Sequence, residues 1–263
     1  MHVIKEDGFT IYRFLVEYSA NNFNYIVSCD ETKESIVIDP IDVITIMEII
    51  RENNLRVNYV VNTHTHPDHI HGNNPIIKVF LESKILVHKA GQDNVSPRSE
   101  TIDEGDEIKF GRLNMKVFHT PGHCPDHLTL KIGNHLFIGD TVFVAGCGNT
   151  RYGGDPEILY ETFVNKVANF DENLKLLVGH SYAENNLKFA LSIDPSSQAA
   201  KDKLKEVREV GERITTIGEE KKYNPFMRLD DPNIISGLKK NDPNMPDDPK
   251  SVFIKLRELR NSW

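Results

Sequence analysis

Cysteine is scarce in this chain: three thiols, Cys29, Cys124 and Cys147, in 263 residues. An odd, scattered set cannot lay out a disulfide framework and points to reduced thiols in a cytoplasmic setting. Positive charge is also short, with 31 Lys and Arg against 39 Asp and Glu and a net charge of −8. That deficit argues against nucleic acid or an anionic membrane surface as the main partner. No apolar run approaches the roughly 18 residues needed to cross a bilayer. The N-terminal stretch MHVIKEDGFTIYRF lacks the charged-then-apolar layout of a secretory leader. Internal repeats and low-complexity tracts are absent as well. With 39% hydrophobic and 27% charged residues the chain can still build a packed core, and its length suits one large domain or one large and one small. What it has in quantity is histidine, 11 residues.

The first two-thirds is rich in short Val, Ile, Leu, Phe and Tyr runs separated by Gly, Asn, Asp and Pro, which predicts strands at 11–18, 25–29, 35–38, 56–61, 84–87, 107–110, 113–118, 128–132, 136–138 and 175–178. Helices are predicted at 43–53, 75–82 and 156–168; in the first, Ile46, Ile49 and Ile50 give an i, i+3, i+4 stripe. After about residue 183 the pattern turns helical, at 186–192, 196–211 and 251–260, with a Pro- and Asp-rich stretch over 224–249. The expectation is a β-rich α/β domain over 1–183 and a small, mainly helical domain over 184–263.

The histidines and aspartates gather at strand ends. Ile36-Val37-Ile38 ends at Asp39, Val60-Val61-Asn62-Thr63 at His64, Leu136-Phe137-Ile138-Gly139 at Asp140 and Leu176-Leu177-Val178-Gly179 at His180; Val117-Phe118 leads through His119 to His123. Buried strands deliver such residues to a sheet edge, where α/β folds carry their sites. The densest segment, His64-Thr65-His66-Pro67-Asp68-His69, reads H-x-H-x-D-H. Imidazoles at i and i+2 on an extended turn can face one cation, and the Asp and His that follow can face another. Imidazole and carboxylate donors suit zinc, iron or manganese, and the lack of thiolates disfavours a Cys-type structural zinc.

These motifs, with Thr120-Pro121-Gly122-His123, Gly139-Asp140-Thr141 and Gly179-His180, resemble the ligand set of the metallo-β-lactamase superfamily. Within it the chain resembles the glyoxalase II (hydroxyacylglutathione hydrolase) family, through Asn22-Phe23-Asn24-Tyr25, Gly146-Cys147-Gly148, Asn185-Asn186-Leu187-Lys188-Phe189-Ala190, Tyr223-Asn224-Pro225-Phe226-Met227-Arg228 and the C-terminal pair Arg257 and Arg260. The resemblance implies a four-layer αββα sandwich with a helical C-terminal domain. It implies two divalent metals, zinc first, with iron or manganese as alternatives. One would be held by His64, His66 and His123, the other by Asp68, His69 and His180, with Asp140 and a hydroxide bridging them. It implies hydrolysis of S-2-hydroxyacylglutathione, typically S-D-lactoylglutathione, with Asp68 and Asp140 at the catalytic centre. Tyr182, Arg257 and Arg260 would contact glutathione.

A thioester releases a thiolate whose parent thiol has a pKa of about 8.5, so departure needs no obligatory general acid. Asp39 and His127 are expected to support ligand histidines from behind. His119 is assigned to packing, Cys147 and Cys124 to structure, and Arg228 to tying the two domains. His2, His71, His88 and His135 are given no role. The sequence departs from the family after Gly-Cys-Gly, where Asn149 stands in place of a basic residue; Arg151 is the candidate to take over. The competing readings are a glutathione persulfide dioxygenase with one iron, a lactonase, phosphodiesterase or β-lactamase on the same scaffold, and a non-catalytic metal-binding module. The protein is expected to be a cytoplasmic monomer or weak homo-oligomer, with a small glutathione thioester as partner and neither nucleic acid nor membrane.

Overall fold

The β-branched runs of the N-terminal half fold as strands in the computed structural model, which describes residues 1–95 and 98–263. The chain divides into two compact units. The first comprises Met1–His119, Pro125–Gly133 and Phe137–Gly139; the second comprises Thr120–Cys124, Asn134–Leu136 and Asp140–Trp263.

The first unit carries a seven-stranded sheet: β1 (His2–Glu6), β2 (Phe9–Val16), β3 (Asn22–Cys29), β4 (Glu34–Ile38), β5 (Arg56–Val61), β6 (Lys84–His88) and β7 (Ser99–Ile102), in that spatial order. Strands β1 to β4 pair antiparallel and β4 to β7 parallel. Parallel strands buried on both faces are continuously apolar, as Ile36, Val37 and Ile38 are in β4. Helix α1 (Val43–Glu52) starts where the Asp42 side chain accepts the N–H of Thr45 at 3.1 Å. It buries the predicted stripe of Ile46, Ile49 and Ile50 in one core with Ile26, Val37, Val60, Ile76 and Ile85. Each such side chain contributes about 1.5–3 kcal/mol by leaving water. Because β4 and β5 run parallel, their carboxyl ends emerge at the same sheet edge and present Asp39 and residues 62–64 together. The single-turn α2 (Pro67–Ile70) and α3 (Asn73–Val79) follow. A second, antiparallel ladder joins β8 (Glu107–Phe110), β9 (Leu113–His119) and β10 (Leu128–Ile132). Strand β11 (His135–Gly139) contributes residues to both units.

The second unit opens with a hairpin of β12 (Val142–Phe143) and β13 (Gly146–Cys147), continues through α4 (Pro156–Asn165) and β14 (Lys175–Val178), and then becomes mainly helical. Its later elements are α5 (Ala183–Ile193), α6 (Gln198–Val210), β15 (Thr215–Thr216), α7 (Ile217–Tyr223), α8 (Pro232–Lys239) and α9 (Pro249–Ser262). Val144 and Ala145 of the hairpin turn share a core with Ala183, Leu187, Ala200 and Tyr223.

Several local expectations change. The helix predicted at 75–82 spans Asn73–Val79 instead. The Pro- and Asp-rich stretch contains α8, because Asp231 caps it by accepting the N–H of Asn233 and Pro232 occupies its first turn. Strand β1 escaped prediction because its side chains are mostly exposed and carry no apolar alternation. Arg228 does not tie residues 1–183 to 184–263. Its guanidinium lies on Asp231 at 2.6 Å and Asp194 at 3.3 Å, so it joins the end of α5 to the start of α8.

A buried carboxylate organises the hairpin turn. Glu220 of α7 accepts the Ala145 N–H and Asn224 Nδ2 on one oxygen, at 2.8 and 3.0 Å, and Thr215 Oγ1 and Tyr223 OH on the other, both at 2.8 Å. Burial pushes this carboxyl up to about 7 despite those four donors. The folded state therefore holds a proton that the unfolded chain gives up near pH 4.5, and stability declines as pH rises from there to about 7. The loss is about 3 kcal/mol. Glu220→Gln is expected to flatten that limb of the pH–stability profile in urea unfolding; an unchanged slope would remove Glu220 as its source.

Candidate active site

In the first unit, Asp39 sits in the left-handed backbone region, φ 48°, which Asp tolerates better than most residues. Asn24 holds it there, donating to the Asp39 carbonyl at 2.7 Å while its amide oxygen accepts the N–H groups of Ile41 and Asp42. The buried Asp39 carboxylate accepts three bonds: Thr63 N–H at 2.8 Å, Thr63 Oγ1–H at 2.6 Å and His69 Nδ1–H at 2.9 Å. Since the Thr63 hydroxyl proton is spent on Asp39, its oxygen accepts His64 Nδ1–H at 3.1 Å. One carboxylate thus fixes the tautomer of two histidines and turns the Nε2 lone pair of each outward. His69 Nε2 faces Asp68 Oδ2 at 4.0 Å, and Asn22 steadies Asp68 through its carbonyl at 3.0 Å. The His64 ring lies 4.0 Å from His69 and 4.6 Å from His66, and stacks on His127 at 5.1 Å. Gly139, φ 49°, allows this closeness: a Cβ there would lie 2.7 Å from His127 Nε2 and 2.8 Å from Thr63 Oγ1.

The second unit carries its own set. His123 donates Nδ1–H to the Asn149 carbonyl at 2.6 Å, so its Nε2 bears the lone pair. That nitrogen faces Asp140 Oδ2 at 3.7 Å, and His180 Nε2 faces the same oxygen at 3.3 Å. A lone pair opposed to a carboxylate oxygen at 3.7 Å repels unless a proton or a metal cation lies between them. Ligand bonds of about 2.0–2.2 Å from each side match that gap. The same holds for His69 and Asp68. The donor sets therefore fit divalent metal.

Next to them in the second unit lies a cavity of ~230 Å³ lined by Arg151, Arg257, Arg260, Tyr152, Tyr182 and Asn186, among others, with no acidic side chain among its described lining residues. Tyr182 stacks on His180 at 4.9 Å. Arg257 is buried and donates to the carbonyls of Cys147 and Gly148 at 2.8 and 3.0 Å. Arg260 rests on Asn186 Oδ1 at 3.0 Å, and burial and Arg257 beside it hold its guanidinium below the usual value. Asn149 takes the Arg151 N–H on its side chain at 3.0 Å, and Arg151 reaches the Asn261 carbonyl. The Cys147 thiol is buried and pushed up to about 11, so it stays protonated. Cys124 is buried too.

His88, Asp103 and His119 also cluster, but their geometry does not suit a metal. The two rings stack nearly parallel at 4.1 Å, so their lone pairs do not converge. His88 accepts the Ala90 N–H on Nδ1, which leaves its proton on Nε2, facing Asp103 at 3.4 Å. Burial lowers the His88 pKa, with His119 adding to the effect. Thr63 and the Asn149 carbonyl were not anticipated. Thr63 could have been noticed as the hydroxyl beside the first ligand; a carbonyl leaves no trace in a sequence.

The metallo-β-lactamase superfamily model matches residues 21–180, and the model of the hydroxyacylglutathione hydrolase C-terminus matches 181–263. The hydroxyacylglutathione hydrolase of Nitrosococcus oceani is 41% identical over 251 residues, covering 92% of this chain and 95% of that protein. The chain belongs to the hydroxyacylglutathione hydrolase family. A second member, from Polaromonas sp., is 39% identical over the same shares of both chains. Among solved structures, ETHE1 from Myxococcus xanthus superposes with a TM-score of 0.69 at 22% identity, over 96% of this chain and 98% of that one. A B3 metallo-β-lactamase, BLEG-1, gives 0.65 at 21% identity, over 83% and 99%. The fold is accordingly the α/β sandwich of the superfamily with a helical C-terminal region, as the sequence implied.

Proposed function

We propose that the protein hydrolyses S-2-hydroxyacylglutathione, S-D-lactoylglutathione in particular, to the hydroxy acid and glutathione. Family membership over more than nine-tenths of the chain supports this, and the observation that carries it is the arginine-rich cavity beside Asp140 and His180. An acidic protein that concentrates three guanidiniums in one pocket is built for an anion, and glutathione is one.

Two divalent ions, zinc first and iron or manganese as alternatives, are proposed: one on His64, His66 and His123, one on Asp68, His69 and His180, with Asp140 shared. When bound, such a pair activates water near neutral pH and polarises a carbonyl. The chain's own part is orientation. Asp39, directly and through Thr63, keeps protons on Nδ1 of His69 and His64, and the Asn149 carbonyl does so for His123. Tyr182, Arg151, Arg257 and Arg260 hold glutathione so that the thioester meets the metal centre, and His127 backs the His64 ring. The leaving thiolate needs no proton, so the site works without a general acid. In this reading residues 1–183 are the catalytic domain and 184–263 the substrate-binding domain of a cytoplasmic monomer or weak homo-oligomer. Among the described residues no helix is long and apolar enough to cross a membrane.

The test is loss of thioester absorbance on S-D-lactoylglutathione with metal analysis of the same sample. Turnover with two metals per chain is expected. A single iron with oxygen uptake on glutathione persulfide, or metal-loaded protein inert to every thioester, overturns the reading.

A further inference from the structure

The residue between His64 and His66 has a buried partner of its own. Thr65 donates its N–H to Asp126 Oδ2 at 2.8 Å and its hydroxyl to the same oxygen at 2.7 Å. Its hydroxyl oxygen accepts Asn94 Nδ2 at 2.9 Å. Thr65 and Asp126 are both buried. Gly91, in the 3-10 turn Lys89–Asn94, closes the node: a Cβ there would stand 2.7 Å from Thr65 Cγ2, 2.8 Å from Thr65 Oγ1 and still closer to Asp126 Oδ2. The neighbour of Asp126 is His127, whose ring stacks on His64.

We propose that Asp126 is a positioning residue for the metal ligands His64 and His66. The inference rests on the ligand assignment proposed above. Thr63 and Thr65 alternate with the two histidines along the turn, and each puts both its N–H and its hydroxyl on a buried carboxylate, Asp39 for the first and Asp126 for the second. Charge-assisted bonds of this kind are the strong ones. Clamped at alternate residues, the backbone of 63–65 has little torsional freedom left, and the two imidazoles are presented without reorganisation when an ion arrives. Asp39 acts on the protons of the histidines; Asp126 acts on the peptide between them. Gly91 has the same cause, since only a residue without a Cβ lets the 3-10 turn close over the Asp126–Thr65 pair.

The holoprotein is challenged with a chromophoric chelator, and the rate of metal release is recorded beside kcat and KM for S-D-lactoylglutathione. Asp126→Ala is expected to release metal about 10–100-fold faster and to lose a similar factor in kcat with KM unchanged. Asp126→Asn, which keeps an oxygen for both Thr65 donors, recovers most of that loss. A lower melting temperature with wild-type metal release and kcat overturns the proposal, because that is all a structural role would produce. If Asp126→Ala does not fold, Thr65→Val, which removes only the hydroxyl bonds, takes its place: several-fold faster release supports the proposal and an unchanged rate overturns it. A wild-type holoprotein without thioester turnover would remove the substrate reading and leave the metal-release result standing.

Discussion

Asp140→Asn is expected to strip both metals at once and to lower kcat by about three orders of magnitude, ~4 kcal/mol of transition-state stabilisation. Asp140 Oδ2 faces the Nε2 atoms of His180 and His123, at 3.3 and 3.7 Å. The substitution changes one atom and removes the charge. An amide has a single acceptor oxygen, and its NH2 group has no lone pair for a cation and would instead donate to an imidazole Nε2, occupying the lone pair a metal needs. His123 cannot compensate by turning, since the Asn149 carbonyl holds its Nδ1–H at 2.6 Å. In the proposed centre Asp140 is the one protein group common to both ions, so metal content after dialysis should fall for both together rather than by half. Loss of one equivalent with the other retained would show that Asp140 serves a single ion. Full metal content and full activity would sink the shared-ligand arrangement.

How much of this was legible beforehand depends on the kind of interaction. The strand-end rule placed Asp39 and His64 each at the end of an apolar run, and the structure adds that the two strands are a parallel pair. An apolar run that stops at a polar residue is a local pattern. The Asp39–Thr63–His64 relay is not local, because it joins residues 24 positions apart through one hydroxyl whose role is set by where its proton goes. Asp126 reaches across 61 positions to a peptide N–H, and no periodicity announces that. Arg228 shows the opposite failure. A family-like stretch suggested a tie between domains, but two aspartates in its own neighbourhood, Asp194 and Asp231, satisfy it first. Helix α8 was not predicted because proline both breaks and begins helices, and only the capping Asp231 before it decides which.

Arg260→Ala and Arg257→Ala should separate binding from chemistry, although both side chains line one cavity. A charge-assisted hydrogen bond is worth about 1.5–3 kcal/mol, so each substitution is expected to raise KM for S-D-lactoylglutathione by about 10–100-fold. For Arg260 the effect should stop there. Its fixed partner is the side-chain oxygen of Asn186, which has a second anchor, donating to the Val144 carbonyl at 3.0 Å, and survives the loss. Interactions made equally to substrate and transition state change KM and leave kcat. Arg257 differs because its NH1 is spent on the carbonyls of Cys147 and Gly148. Those residues lead directly to Asn149, whose carbonyl sets the tautomer of His123. Removing the buried guanidinium frees the loop and loosens the carbonyl that keeps the His123 proton on Nδ1, so Arg257→Ala should lower kcat as well, by about 10-fold or more. Steady-state kinetics on the two single variants decide the matter. Equal kcat in both would confine Arg257 to substrate binding, and an unchanged KM in both would remove the pair from the glutathione site.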